Sequence, residues 1–118
     1  MKNQNFIKRM GFALSGISEA LKSESSFRTQ ILFAIAAIGY FAWLDVTAVW
    51  WALLVVIMAL ILSAELFNTA IELLIDHLHP ELHPAVKNIK DLSAASVLIL
   101  SVAAILFALI ATVNFYQF

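Results

Sequence analysis

The 118-residue chain is 63% hydrophobic and only 13% charged, with seven Lys and Arg, eight Asp and Glu, and a formal net charge of −1. That composition lies far from a soluble globular domain, and the length allows one domain at most. Cysteine is absent, which excludes disulfide frameworks, thiolate zinc sites and cysteine nucleophiles, and no Lys/Arg-rich nucleic-acid patch is present.

Polar and charged residues interrupt the first thirty positions, with no apolar h-region or small-residue cleavage site, so no signal peptide is expected there. Residues 6–22 instead predict an amphipathic helix. Phe6, Met10, Leu14, Ile17 and Leu21 recur at three- and four-residue steps, with Lys8, Ser15, Ser18, Glu19 and Lys22 mostly elsewhere. Such a helix lies in the membrane interface plane.

The first membrane span is expected over about 27–44. Its uninterrupted apolar part, Ile31–Leu44, reaches only about 21 Å, short of the ~30 Å hydrocarbon layer, so it must recruit the turns from Phe27 onward or cross where the bilayer is thin. Trp43, Trp50 and Trp51 flank Asp45, as expected of an aromatic belt with Asp45 as an outward turn residue. A second span, embedded over about 47–75, can run as unbroken helix from near Val46 to Asp76. At about 45 Å it exceeds the hydrocarbon core and should project on one side. His79-Pro80 and His83-Pro84 are expected to stop it and to mark a connection around 77–91. The third span follows over 92–113.

All seven basic residues, Lys2, Lys8, Arg9, Lys22, Arg28, Lys87 and Lys90, lie in the N-terminal segment or in the 77–91 connection. By the positive-inside rule both are cytoplasmic, while Asp45 and the C-terminus face outward. This agrees with three crossings. The predicted fold class is an all-α membrane protein, with three transmembrane helices plus an N-terminal surface helix.

One carboxylate stands out. Glu65 closes the apolar run Trp50 to Ala64, and a charge beside lipid costs about 2.5–3.5 kcal/mol on insertion scales. At 100° per residue, Asn68, Glu72 and Asp76 fall within roughly 80° of it on the helix surface. Glu65 lies about 28 Å from the outer end of its helix, near the inner hydrocarbon boundary, with Glu72 and Asp76 beyond it. Ser23-Glu24-Ser25-Ser26-Phe27-Arg28 and Lys90-Asp91 lie on the same side of the membrane.

Carboxylates at two depths with a lysine nearby suit phosphoryl transfer from a water-soluble nucleotide to a lipid alcohol. Glu24 and Glu72 could hold Mg²⁺, which favours a few carboxylates plus phosphate oxygens. Lys90 could neutralise phosphate charge. Glu65, about 10 Å along the helix from Glu72, could take a proton from a hydroxyl at the membrane surface. Asn68 would sit between them. No Walker loop or other glycine-rich loop is present, the glycines being Gly11, Gly16 and Gly39, so any nucleotide site must be built from helix side chains.

Plainer roles exist for each residue. Glu65 could hydrogen-bond across helices, Glu24 could pair with Arg28 at i+4, and Lys90 could anchor the third helix at the headgroups. His77, His79 and His83 have alternate loop spacing without further clear ligands, a poor metal cluster. Two other functions fit part of the pattern. A small proton-coupled transporter would use one membrane carboxylate, but transport sites tend to lie at the midplane. A scaffold subunit would leave the polar stripe unexplained.

Glu65-Leu66-Phe67-Asn68-Thr69-Ala70-Ile71-Glu72, followed by Asp76, Glu81, His83 and Lys90-Asp91, closely resembles the prokaryotic diacylglycerol kinase family of small integral-membrane lipid kinases. Glu24 with Phe27-Arg28, Trp43-Leu44-Asp45-Val46 and Ala95-Ser96-Val97-Leu98-Ile99 extend the resemblance over nearly the whole chain. It implies a homotrimer in the bacterial inner membrane, with active sites shared between neighbouring subunits, ATP as phosphoryl donor and Mg²⁺ as cofactor. Carried over by position, Glu65 is the catalytic base and Glu24 and Glu72 are metal and nucleotide ligands. Phe12, Asn68, Asp76, Glu81, His83, Lys90 and Asp91 line the nucleotide. Arg28, Thr29, Trp43, Asp45 and Ala94 fall with Glu65 on the lipid side.

Some positions depart from the family pattern. Asn5 stands where the enterobacterial enzymes have an arginine, a role left to Lys8 or Arg9. Thr29 replaces a glutamine, and Ala94 replaces a serine near the lipid acceptor. His83-Pro84 and Asn68-Thr69 are also common in the undecaprenol kinase branch, whereas Phe27-Arg28 and Trp43-Leu44-Asp45-Val46 favour diacylglycerol, the acceptor expected here.

Overall fold

The computed structural model describes residues 3–117, which form four helices and, among the described residues, no strand. They are α1 (Phe6–Ser23), α2 (Ser25–Leu44), α3 (Ala48–Leu78) and α4 (Pro84–Gln117). The last three are long and apolar enough to cross a membrane, at about 30, 46 and 51 Å. The chain is an all-α integral membrane protein measuring 54 × 39 × 23 Å. Its exterior is apolar: Leu32, Phe33, Phe67, Leu92 and Ile99 all face outward. Water would not tolerate so continuous an apolar surface, whereas lipid or a neighbouring subunit does.

Local chemistry explains each helix end. Asn5 caps α1, its side-chain oxygen accepting the Lys8 backbone N–H at 2.9 Å. Between α1 and α2 only Glu24 leaves helical geometry, at φ −113 and ψ 105. Its N–H still reaches the Ala20 carbonyl at 2.9 Å, and its carbonyl accepts from the Arg28 N–H at 3.2 Å. The turn thus costs no backbone hydrogen bond at this residue.

Arg28 does not pair with Glu24, as i+4 spacing allowed. Its Nη1 instead donates to the carbonyls of Leu21 (2.9 Å) and Lys22 (3.1 Å). The last carbonyls of a helix lack intrahelical partners and carry the negative end of its dipole, so a guanidinium there satisfies both.

α2 ends at Asp45, which adopts the left-handed conformation (φ 55, ψ 51), with its N–H on the carbonyls of Ala42 and Phe41. Aspartate tolerates that region better than most side chains. The best-packed core lies at this end, where Phe41, Leu54 and Ala111 are buried under Trp50, Trp51, Met58 and Phe107. The Phe41 and Phe107 rings lie 5.4 Å apart. Trp43, exposed, stacks on Tyr40, whose hydroxyl is hydrogen-bonded to that of Thr112.

α3 runs without interruption to Leu78 and packs most extensively against α4. The connection between them is shorter than expected. Pro84 does not extend the loop but begins α4, about two turns before the expected membrane entry at Leu92. A proline at the first helical position loses nothing, because that N–H has no intrahelical acceptor. His83 completes the start: its Nδ1 accepts the Ala85 N–H at 3.0 Å, and its carbonyl accepts that of Lys87 at 3.0 Å.

Candidate active site

Glu65 is only 4% exposed, while Phe67 two residues on is 71% exposed. The carboxylate therefore points into the bundle and an aromatic ring points out, the reverse of a soluble helix. Gln30 of α2 meets it: Nε2 donates to Glu65 Oε1 and also to Ser101 Oγ of α4, each at 3.4 Å. These bonds are long and individually weak. They nonetheless join all three long helices at one polar point. Towards the Asp45 end a cavity of about 430 Å³ opens from it, lined by apolar side chains such as Phe41, Leu54, Met58 and Ile61, with Gln30 and Ser101 its polar residues.

In the opposite direction the polar groups of α3 continue. Glu72 and Glu24 are the two carboxylates whose charges reach Glu65, and both are half-buried. Between Glu65 and Glu72, the Asn68 side-chain oxygen is buried without a hydrogen-bond partner. A buried amide left unsatisfied is costly, so this atom marks a place where a ligand group would fit. Among the described residues no three His, Cys, Asp or Glu side chains converge. Glu24 and Glu72 carry hard carboxylate oxygens, the donor type that Mg²⁺ takes alongside phosphate and water.

At the end of the stripe, Lys90 Nζ lies 2.5 Å from Asp76 Oδ1, and Lys87 Nζ lies 2.6 Å from Asp91 Oδ2. Lys90 is thus held by α3, while Asp91 is held on its own helix. Glu81 is exposed in the connection, its carbonyl 3.3 Å from His79 Nδ1. His79 and His83 meet edge to face at 5.9 Å, and His83 Nδ1 is engaged in capping α4. Phe12 is 44% exposed on α1, and Thr29 and Ala94 are exposed. Trp43 and Asp45 stand at the other end of the bundle, separated from Glu65 by most of the embedded length of α3, about 26 Å counted from Ala48.

Gln30, Ser101 and Ser93 carry polarity into the bundle, and Ser93 is buried. None of the three was singled out by sequence. Gln30 had a visible signal, being the last polar side chain before the apolar run from Ile31. The adjacent Thr29, expected on the lipid side, is exposed while Gln30 turns inward.

Residues 11–112 match the family model of prokaryotic diacylglycerol kinase. The chain belongs to the prokaryotic diacylglycerol kinase family. Relatives in that family include the diacylglycerol kinase of Escherichia coli (strain K12), 32% identical over 100 residues that cover 85% of this chain and 82% of that protein. The diacylglycerol kinase of Pseudomonas aeruginosa PAO1 is 36% identical over 99 residues, covering 80% of each. That of Helicobacter pylori 26695 is 30% identical over 96 residues, 81% of this chain and 75% of that protein. The matched range of this diacylglycerol kinase family member contains every candidate residue from Phe12 to Ala94. It leaves Asn5, Lys8 and Arg9 outside.

Proposed function

We propose that the protein is an ATP-dependent kinase that phosphorylates diacylglycerol to phosphatidic acid at the cytoplasmic face of the bacterial inner membrane. The observation that carries this reading is the buried Glu65 at the junction of three helices, from which Asn68, Glu72 and the Lys90–Asp76 pair lead out towards water. The relatives, which are diacylglycerol kinases, support diacylglycerol as the acceptor.

In the proposed reaction Glu65 accepts the proton of the lipid hydroxyl as that oxygen bonds to the γ-phosphorus. The bond from the γ-phosphorus to the bridging oxygen breaks, and its electron pair leaves with ADP. Asn68 supplies a hydrogen-bonding group beside the transferred phosphoryl. Lys90 exchanges Asp76 for phosphate oxygens, Asp91 helps to place the nucleotide, and Phe12, Glu81 and His83 border it. Glu24 and Glu72 are the residues that would hold Mg²⁺, which when bound would offset phosphate charge. Arg28, Thr29 and Ala94 border the approach of the lipid; Trp43 and Asp45 set the opposite membrane boundary. A single chain of thin helices encloses little of this site, so a homotrimer with shared sites completes the proposal.

The experiment is a paired assay of purified protein in lipid, supplied with Mg-ATP and either diacylglycerol or undecaprenol. Transfer of the γ-phosphate to diacylglycerol at the higher kcat/KM supports the proposal. Preference for undecaprenol would reassign the acceptor, and transfer to neither would overturn the kinase reading.

A further inference from the structure

Glu65 has one hydrogen-bond partner among the described residues, the Gln30 side chain. Gln30 in turn is tied to Ser101 on α4. On one side of this junction lies the apolar cavity, which offers no other polar side chain. On the other side lie Asn68, with its buried unpartnered oxygen, and the carboxylates of Glu72 and Glu24. A carboxylate in such a place has few ways to keep one orientation. Water is scarce on the apolar side, and the neighbouring charges repel rather than hold it. An amide that donates to one carboxylate oxygen fixes the rotamer and leaves the second oxygen for another proton.

We infer that Gln30 is a positioning residue for Glu65: its amide, anchored by Ser101, holds Oε1 so that Oε2 faces the incoming hydroxyl. The role rests on the kinase function proposed above. It differs from a packing role in that the amide N–H is what matters, and the side-chain volume is not. The two 3.4 Å bonds make the hold adjustable: the amide can tighten on Glu65 as substrate arrives by loosening from Ser101.

The test uses full-length protein in lipid. Gln30→Met keeps length and volume but removes the donor. We expect kcat with Mg-ATP and diacylglycerol to fall about tenfold or more, the rate equivalent of a hydrogen bond to a charged group, with both KM values within about twofold of wild type. Ser101→Ala frees the anchor alone, and kcat should fall about two- to fivefold, the equivalent of a neutral hydrogen bond. An activity-independent readout is the infrared carboxyl band of Glu65, identified by its loss in Glu65→Gln; it should move in Gln30→Met. An unmoved band, or an unchanged kcat in either variant, would overturn the positioning role. Should wild-type protein phosphorylate no lipid, the kinase reading fails, and the infrared band alone decides whether Gln30 holds Glu65.

Discussion

Lys90 Nζ and Asp76 Oδ1 lie 2.5 Å apart, joining the start of α4 to the end of α3 across the connection at 79–83. Both side chains are partly exposed, at 35% and 60%. Solvent and salt screen such a pair, which contributes less than about 1 kcal/mol to stability. If Lys90 is kept to meet phosphate, Lys90→Met should raise KM for Mg-ATP about tenfold or more, the effect of one lost charge-assisted bond. Thermal unfolding in the same detergent should move little. Steady-state kinetics beside a melting curve separate the two effects, and an unchanged KM would remove Lys90 from the nucleotide site.

Arg28 closes the α1–α2 junction by donating from Nη1 to the Leu21 and Lys22 carbonyls. A lysine carries the same charge but lacks the planar guanidinium. Arg28→Lys should therefore loosen the junction by about 1 kcal/mol, a typical net hydrogen-bond contribution. Hydrogen exchange at residues 20–24 should speed up while the centre of α3 stays protected. Exchange identical to wild type would show that the guanidinium does not hold the turn.

The helix start at Pro84 was hidden in the sequence because a proline after an expected loop reads equally well as a stop and as a first helical residue. His83 tips the balance by capping, a geometry no spacing reveals. The apolar runs, by contrast, made the three long helices and the amphipathic α1 legible from composition and period alone. Within the site, the Glu65–Asn68–Glu72–Asp76 stripe was legible because one helix carries all four. Gln30 and Ser101 were not, since their meeting with Glu65 depends on how three helices are rotated against one another. The contacts of Arg28 were hidden for a similar reason: its acceptors are backbone carbonyls, which every residue has.

His83 offers a separable case. If its main task is capping, His83→Ala should cost about 1 kcal/mol, while His83→Ser or His83→Asn restores stability with a different cap. Melting temperatures of the three variants read this directly. A KM for Mg-ATP that rises equally in all three would show that the imidazole contacts the nucleotide as well.

Asp45 sits at φ 55, where a β-branched side chain is strained. Asp45→Gly should leave folding intact, whereas Asp45→Val should cost about 1–2 kcal/mol. Denaturation in matched micelles distinguishes them, and equal stability of the two variants would mean that the left-handed cap is not retained in the membrane.

The central claim is that Glu65 accepts the proton of the lipid hydroxyl. The most direct measurement is the rate of γ-phosphate transfer from Mg-ATP to diacylglycerol by Glu65→Gln in lipid, with oligomer size and secondary structure measured on the same sample. Glutamine keeps the shape and can still meet Gln30, but it is not a base. The account predicts a loss of about a hundredfold or more in kcat with assembly unchanged. Wild-type turnover by folded Glu65→Gln protein of unchanged size would contradict it.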